Sequence, residues 1–147
     1  MKYYILLLLI LSSLSVRANG TNDENPIIGT WKCYDHGLER SMFSVASYSS
    51  NTFHQKIQSS VMIVSTGEVL TFETTVSGKW NYAEDRLEHT IEAKDISASN
   101  ELSEKYLAIV KEDLNINSTS VSHLHSLEDR TMKLRNSRAG FTYCFKQ

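Results

Sequence analysis

Apolar and polar residues alternate with a period of two along much of this chain. In the longest run Leu70, Phe72, Thr74, Val76, Gly78, Trp80 and Tyr82 share one parity. Successive side chains of a strand point to opposite faces, so this run predicts a strand with one buried face. Phe53, Gln55, Ile57, Ser59, Val61 and Ile63 form a second run, and Leu87, His89, Ile91 and Ala93 a third. Phe141, Tyr143 and Phe145 alternate near the C-terminus. Gly78 inside the longest run predicts a bulge or a sharp bend, a device by which barrels curve. Ser65-Thr66-Gly67-Glu68, Ala83-Glu84-Asp85-Arg86 and Glu128-Asp129-Arg130 read as the turns between strands.

Other segments carry weaker patterns. Pro26 precedes a first strand over residues 27–36, and Gly37 with Glu39-Arg40 makes a turn. Residues 41–52 read as a strand in which Met42, Phe43, Val45 and Tyr48 follow no clean period. Between residues 95 and 113 the alternation stops. Asn100 is a candidate helix cap, and Leu102, Tyr106, Ile109 and Val110 lie on one helical stripe. Glu101 and Glu104 suit the helix dipole, whereas a short strand over residues 106–110 is the competing reading. A polar strand over residues 114–124, another over 131–135 and a last one from Gly140 complete the chain. About eight short strands with one short helix is the pattern of an all-β antiparallel barrel or sandwich.

The first 18 residues read as an export signal. Met1-Lys2 is basic, residues 3–11 are apolar, and Val16-Arg17-Ala18 fits a cleavage site. The apolar run is shorter than the roughly 20 residues that a membrane span requires. Residues 19–26 form a polar, disordered leader carrying the sequon Asn19-Gly20-Thr21, and residues 27–147 form one domain. The expected location is secreted or periplasmic, with no integral membrane segment in the processed chain.

A net charge of −2 is too near zero to imply nucleic acid or an anionic membrane as a partner, and none is expected. Arg130, Lys133, Arg135, Arg138 and Lys146 lie in a stretch without acidic residues, which reads first as a solvated face and second as an anion patch. In an exported chain, Cys33 and Cys144 read as an intrachain disulfide; two free buried thiols or an intermolecular bond are the alternatives. The bridge would make the first and last strands neighbours, as barrel closure requires.

Gly29-Thr30-Trp31 at the first strand resembles the Gly-X-Trp motif of the lipocalin superfamily. Ile28-Gly29-Thr30-Trp31-Lys32 looks like the opening of small exported lipocalin-like domains, and Ser77-Gly78-Lys79-Trp80 with Glu84-Asp85-Arg86-Leu87 is similar to their mid-barrel hairpin. The resemblance implies an up-and-down barrel. In it Gly29 lets the chain bend and Trp31 plugs the closed end, with a basic residue over the indole: Arg135, Arg138 or Lys146 here.

Chemistry is sparsely signalled. No nucleophile elbow, metalloprotease helix or phosphate-binding glycine loop is present. His123 and His125 would share a strand face, which reads first as surface histidines and second as a metal pair. The expectation is therefore a non-enzyme without metal or cofactor. Phe72, Trp80, Tyr82, Phe141, Tyr143 and Phe145 read as the core of a filled barrel, or in part as the wall of a cavity. A small hydrophobic molecule in the interior, held by Phe72, Trp80 and Tyr82, is the first functional reading. A filled barrel serving protein–protein interaction is the second.

Overall fold

The alternating segments become eight strands and the irregular one a helix. A computed structural model describes residues 25–37, 39–112, 117–135 and 140–147. The export signal, Asn19 and Arg138 lie outside the described residues, as do residues 114–116 of the anticipated polar strand. The elements are β1 (Gly29–His36), β2 (Arg40–Tyr48), β3 (Thr52–Met62), β4 (Val69–Ala83), β5 (Arg86–Ala98), α1 (Glu101–Glu112), β6 (Thr119–Glu128), β7 (Thr131–Arg135) and β8 (Phe141–Lys146). Each strand pairs antiparallel with the next, and β8 returns to β1, so the sheet is a closed up-and-down barrel.

Closure is covalent as well as hydrogen-bonded. Cys33 faces Cys144 across the β1–β8 ladder with Cα atoms 4.0 Å apart, and the two form a disulfide. Trp31, two residues earlier on the same face, is fully buried, and its indole N–H donates to the Ile27 carbonyl at 2.8 Å. The basic residue over this indole is Lys146, with Nζ 5.4 Å from the ring centroid and 3.3 Å from the Pro26 carbonyl that accepts from it. Gly29 adopts φ +127°, and a Cβ there would lie 2.8 Å from the Lys146 side chain. The positive φ favours glycine, whereas the flexible end of Lys146 could shift to admit a methyl group. Ile27, Trp31, Tyr48, Phe53, Trp80, Leu87 and Met132 fill this end of the barrel.

Two bulges reset the alternation. Ser77 pairs with Ala93 but Gly78 pairs with Ile91, leaving Glu92 as an extra residue in β5. A Cβ on Gly78 would stand 2.0 Å from the Thr90 carbonyl oxygen, so only glycine admits the bulged strand. Leu87, His89 and Ile91 face inward as their parity predicts, but beyond the bulge Ala93 is exposed and Lys94 and Ile96 turn in. A second shift leaves His125 unpaired in β6, and both His123 and His125 are exposed. The Glu84-Asp85 turn has positive φ at both residues (52° and 57°), the type I′ geometry whose twist matches a two-residue hairpin.

Several boundaries and faces differ from expectation. The first strand begins at Gly29 rather than residue 27, and residues 41–52 split between β2 and β3. Residue 117 is a left-handed turn, φ 63°, so the polar strand starts at Thr119 and runs to Glu128. α1 is a helix, but Tyr106 and Ile109 point to solvent while Ser103 is buried and Leu107 and Val110 are half-buried. A polar anchor sets this rotation: Asn100 Oδ1 accepts from the Ser103 N–H and hydroxyl, and Ser103 Oγ accepts from the Thr71 N–H at 2.7 Å. In β8 the inward residues are Thr142 and Cys144, because the disulfide fixes the register. Phe141, Tyr143 and Phe145 therefore lie outside and are not core, with Lys133 Nζ over the Phe141 and Tyr143 rings and Tyr34 against Phe43 and Phe145.

The β5–β6 ladder covers only residues 86–90 of β5, extended to Ile91 by bonds with Asn117 and Ser118. Residues 92–98 of β5 pair with β4 alone among the strands, and α1 packs beside them.

Two stability measurements check this architecture. The bridge closes a sequence separation of 111 residues, so Cys33→Ala/Cys144→Ala should lower unfolding free energy by about 2–4 kcal/mol in denaturant titrations. Gly78→Ala should cost about 3 kcal/mol, because a backbone carbonyl must move to admit the methyl group; a cost below about 1 kcal/mol contradicts the close approach described.

Candidate functional site

The barrel is filled at the Trp31 end and hollow towards the other. Two adjoining cavities of about 320 and 400 Å³ occupy the hollow part, and both are walled by Met42, Gln55, Ile57, His89 and Ser120. Together they are one lumen in the size range of small-molecule sites. The interior is thus neither wholly filled core nor wholly open.

Inward parity on each strand builds the wall. β2 supplies Met42 and β3 supplies Gln55, Ile57 and Ser59; β4 supplies Thr74 and Val76, and β5 supplies His89, Ile91, Lys94 and Ile96. Val110 of α1 reaches the larger cavity. Ser122, Leu134 and Thr142 line the smaller one, with Cys33 of the disulfide at its edge.

Five polar side chains of the lumen have partners. Gln55 Nε2 donates to the buried Ser44 Oγ at 2.9 Å, and Arg40 bonds Asp35 at 3.0 Å. Tyr48 Oη and His89 Nε2 are 2.9 Å apart. Burial pushes the Tyr48 phenol well above its usual range and pushes the His89 imidazole down to about 4. Both groups are therefore neutral at pH 7, and the phenol can donate to an unprotonated Nε2. Tyr48, Phe53 and His89 stack together, and Tyr48 also meets the edge of Trp80 at 5.2 Å. This aromatic group is the floor between lumen and filled end.

Of the residues expected to hold a ligand, none lies on the walls of these two cavities. Trp80 sits below the floor with its indole N–H donating to the Ser49 carbonyl at 2.8 Å. Tyr82 is near the hairpin turn, where burial and then the Asp85 carboxylate raise its phenol. Phe72 is buried opposite Ser59 and Ala98. Sequence reading missed Phe53, which shares Gln55's parity and was legible, and Lys94, whose parity the bulge reverses. Among the described residues, no three His, Cys, Asp or Glu side chains gather in a group able to hold a metal ion.

Compared with known proteins, the chain matches no family model and no curated protein. The closed eight-stranded antiparallel barrel is compatible with a lipocalin-like fold.

The buried histidine makes stability pH-dependent. Folding lowers the His89 pKa from 6.5 to about 4, so the unfolded chain binds more protons between those values. Its contribution is present above about pH 6.5 and is lost as pH falls towards 4, amounting to about 3 kcal/mol. In urea titrations at several pH values, His89→Gln should remove most of this slope; an unchanged slope would assign it to other groups.

Proposed function

We propose that this protein is an exported lipocalin-like barrel that binds a small hydrophobic molecule in the lumen above the Tyr48–Phe53–His89 floor. The observation that carries this reading is the lumen itself. It is several hundred Å³ in volume and walled by Met42, Ile57, Val76, Ile91 and Ile96, and Tyr48 with His89 and Gln55 with Ser44 are hydrogen-bonded pairs. Burial of apolar ligand surface supplies about 25 cal/mol per Å², enough for micromolar affinity in a site this size. The reading is of a binder rather than an enzyme: His89 and Tyr48 are occupied with each other. The Cys33–Cys144 bridge fits an oxidising compartment and supports export through the first 18 residues. Among the described residues no helix is long and apolar enough to cross a membrane.

A second reading, a barrel that docks a protein partner, is favoured by one feature of the exterior. Tyr34, Tyr143 and Phe145 are each nearly half exposed on the outer face of β1 and β8. Such a row of aromatics on a sheet resembles the centre of a protein interface.

Titration with a neutral apolar dye, N-phenyl-1-naphthylamine, separates the two. Saturable binding at one dye per chain is expected, with micromolar Kd. Ile57 borders both cavities, so Ile57→Trp should fill the lumen and weaken binding at least tenfold while the circular dichroism spectrum is kept. Absence of saturable binding to the dye and to medium-chain lipids would leave the docking reading as the better one.

A further inference from the structure

Lys94 is the residue that the lumen does not explain. Among the described residues it is the only charged side chain on the larger cavity, whose wall it shares with Val76, Ile91, Ile96 and Val110 and with the polar Ser59 and Thr74. Among the described residues no carboxylate lies within ion-pair distance of it, so no charge of the chain's own neutralises it inside the lumen. The other charges in the lumen, Asp35 and Arg40, neutralise each other.

The backbone is bent to put this lysine inside. On the unbroken parity of Leu87, His89 and Ile91, position 93 would face the lumen and position 94 the solvent. The extra residue Glu92 reverses this, so Ala93 is exposed and Lys94 lines the cavity. Glu92 itself stays outside, paired with Lys79 at 3.3 Å. The reversal depends on Gly78, the only residue type that lets the bulged backbone come so close. Turning an alanine out and an ammonium in runs against burial energetics, since an unpaired cation in apolar surroundings is disfavoured. Bulges that re-aim a side chain recur beside functional sites.

We infer that Lys94 is the headgroup anchor of the lumen, and that the molecule bound there is an amphiphile with an apolar chain and an anionic head such as a carboxylate or sulfate. The chain lies along Ile57, Val76 and Ile91 towards the aromatic floor, and the head meets the ammonium near α1. This inference rests on the lumen reading above and adds the chemical class of its ligand.

Competition against bound N-phenyl-1-naphthylamine at pH 7.5 tests it, using dodecanoate, dodecyl sulfate and dodecanol below their micellar or solubility limits. The two anions should displace the dye at concentrations about tenfold lower than the alcohol. Lys94→Met, which keeps length and apolar bulk, should abolish that preference, read as the ratio of anion to alcohol displacement whatever the variant's own dye affinity; Lys94→Arg should retain it. Equal displacement by anions and alcohol in the unaltered protein overturns the inference and leaves the lumen reading standing, as does a preference that survives Lys94→Met. If neither the dye nor any dodecyl compound binds, the lumen reading itself fails and this inference falls with it.

Discussion

Closure of the sheet between β1 and β8 is the constraint on which the other features rest. An open eight-stranded sheet would present two edges of unpaired backbone groups, and closure removes both. The register that sets Cys33 opposite Cys144 also sets Trp31 opposite Lys146, so one alignment makes the covalent tie and the plug. A slip of one residue would expel both. The disulfide limits the unfolded ensemble, while the indole and its lysine lid decide which end of the cylinder is shut.

From that shut end the interior changes character along the axis. Large aromatic and aliphatic side chains fill the first layers, where Trp31, Trp80 and Leu87 are buried together. Further up, the inward positions are taken by smaller or more polar residues, Ser44, Gln55, Ser59, Thr74, Ser120 and Thr142, and space opens between them. Every buried polar side-chain atom among the described residues has a partner. The hollow is thus compatible with a stable fold because its polar lining is satisfied and its walls are carried by the packed end.

Much of this fold was legible because a period of two is hard to imitate by chance over thirteen residues, as in β4. The strands β3, β4 and β5 and the Glu84-Asp85 turn followed from it, while the bridge was legible from two cysteines in a chain with an export signal. What was not legible is phase. Bulges at Glu92 and His125 reverse the alternation, and only Gly78 hinted at one of them. In β8 the aromatic parity looked like the core face, but the second cysteine sits on the opposite parity and decides the matter. β2 was obscure for a related reason: its inward row, Met42, Ser44, Ala46 and Tyr48, is no more apolar than its outward row, where Phe43 packs against Tyr34. Trp80 packs in the filled end, whereas Phe72 is buried beside Ser59 and Ala98 towards α1.

The short β5–β6 ladder gives the cylinder a mechanical polarity. β1 and β5 stand opposite each other in an eight-membered ring. On the β1 side a covalent bond fixes the spacing of the strands. On the β5 side, residues 92–98 lean on a helix in place of a second strand. Widening the wall there costs side-chain packing but breaks no inter-strand ladder, whereas widening it anywhere else must pull a hydrogen-bonded strand away from its neighbour. The container is therefore stiff along one spine and compliant along the opposite flank.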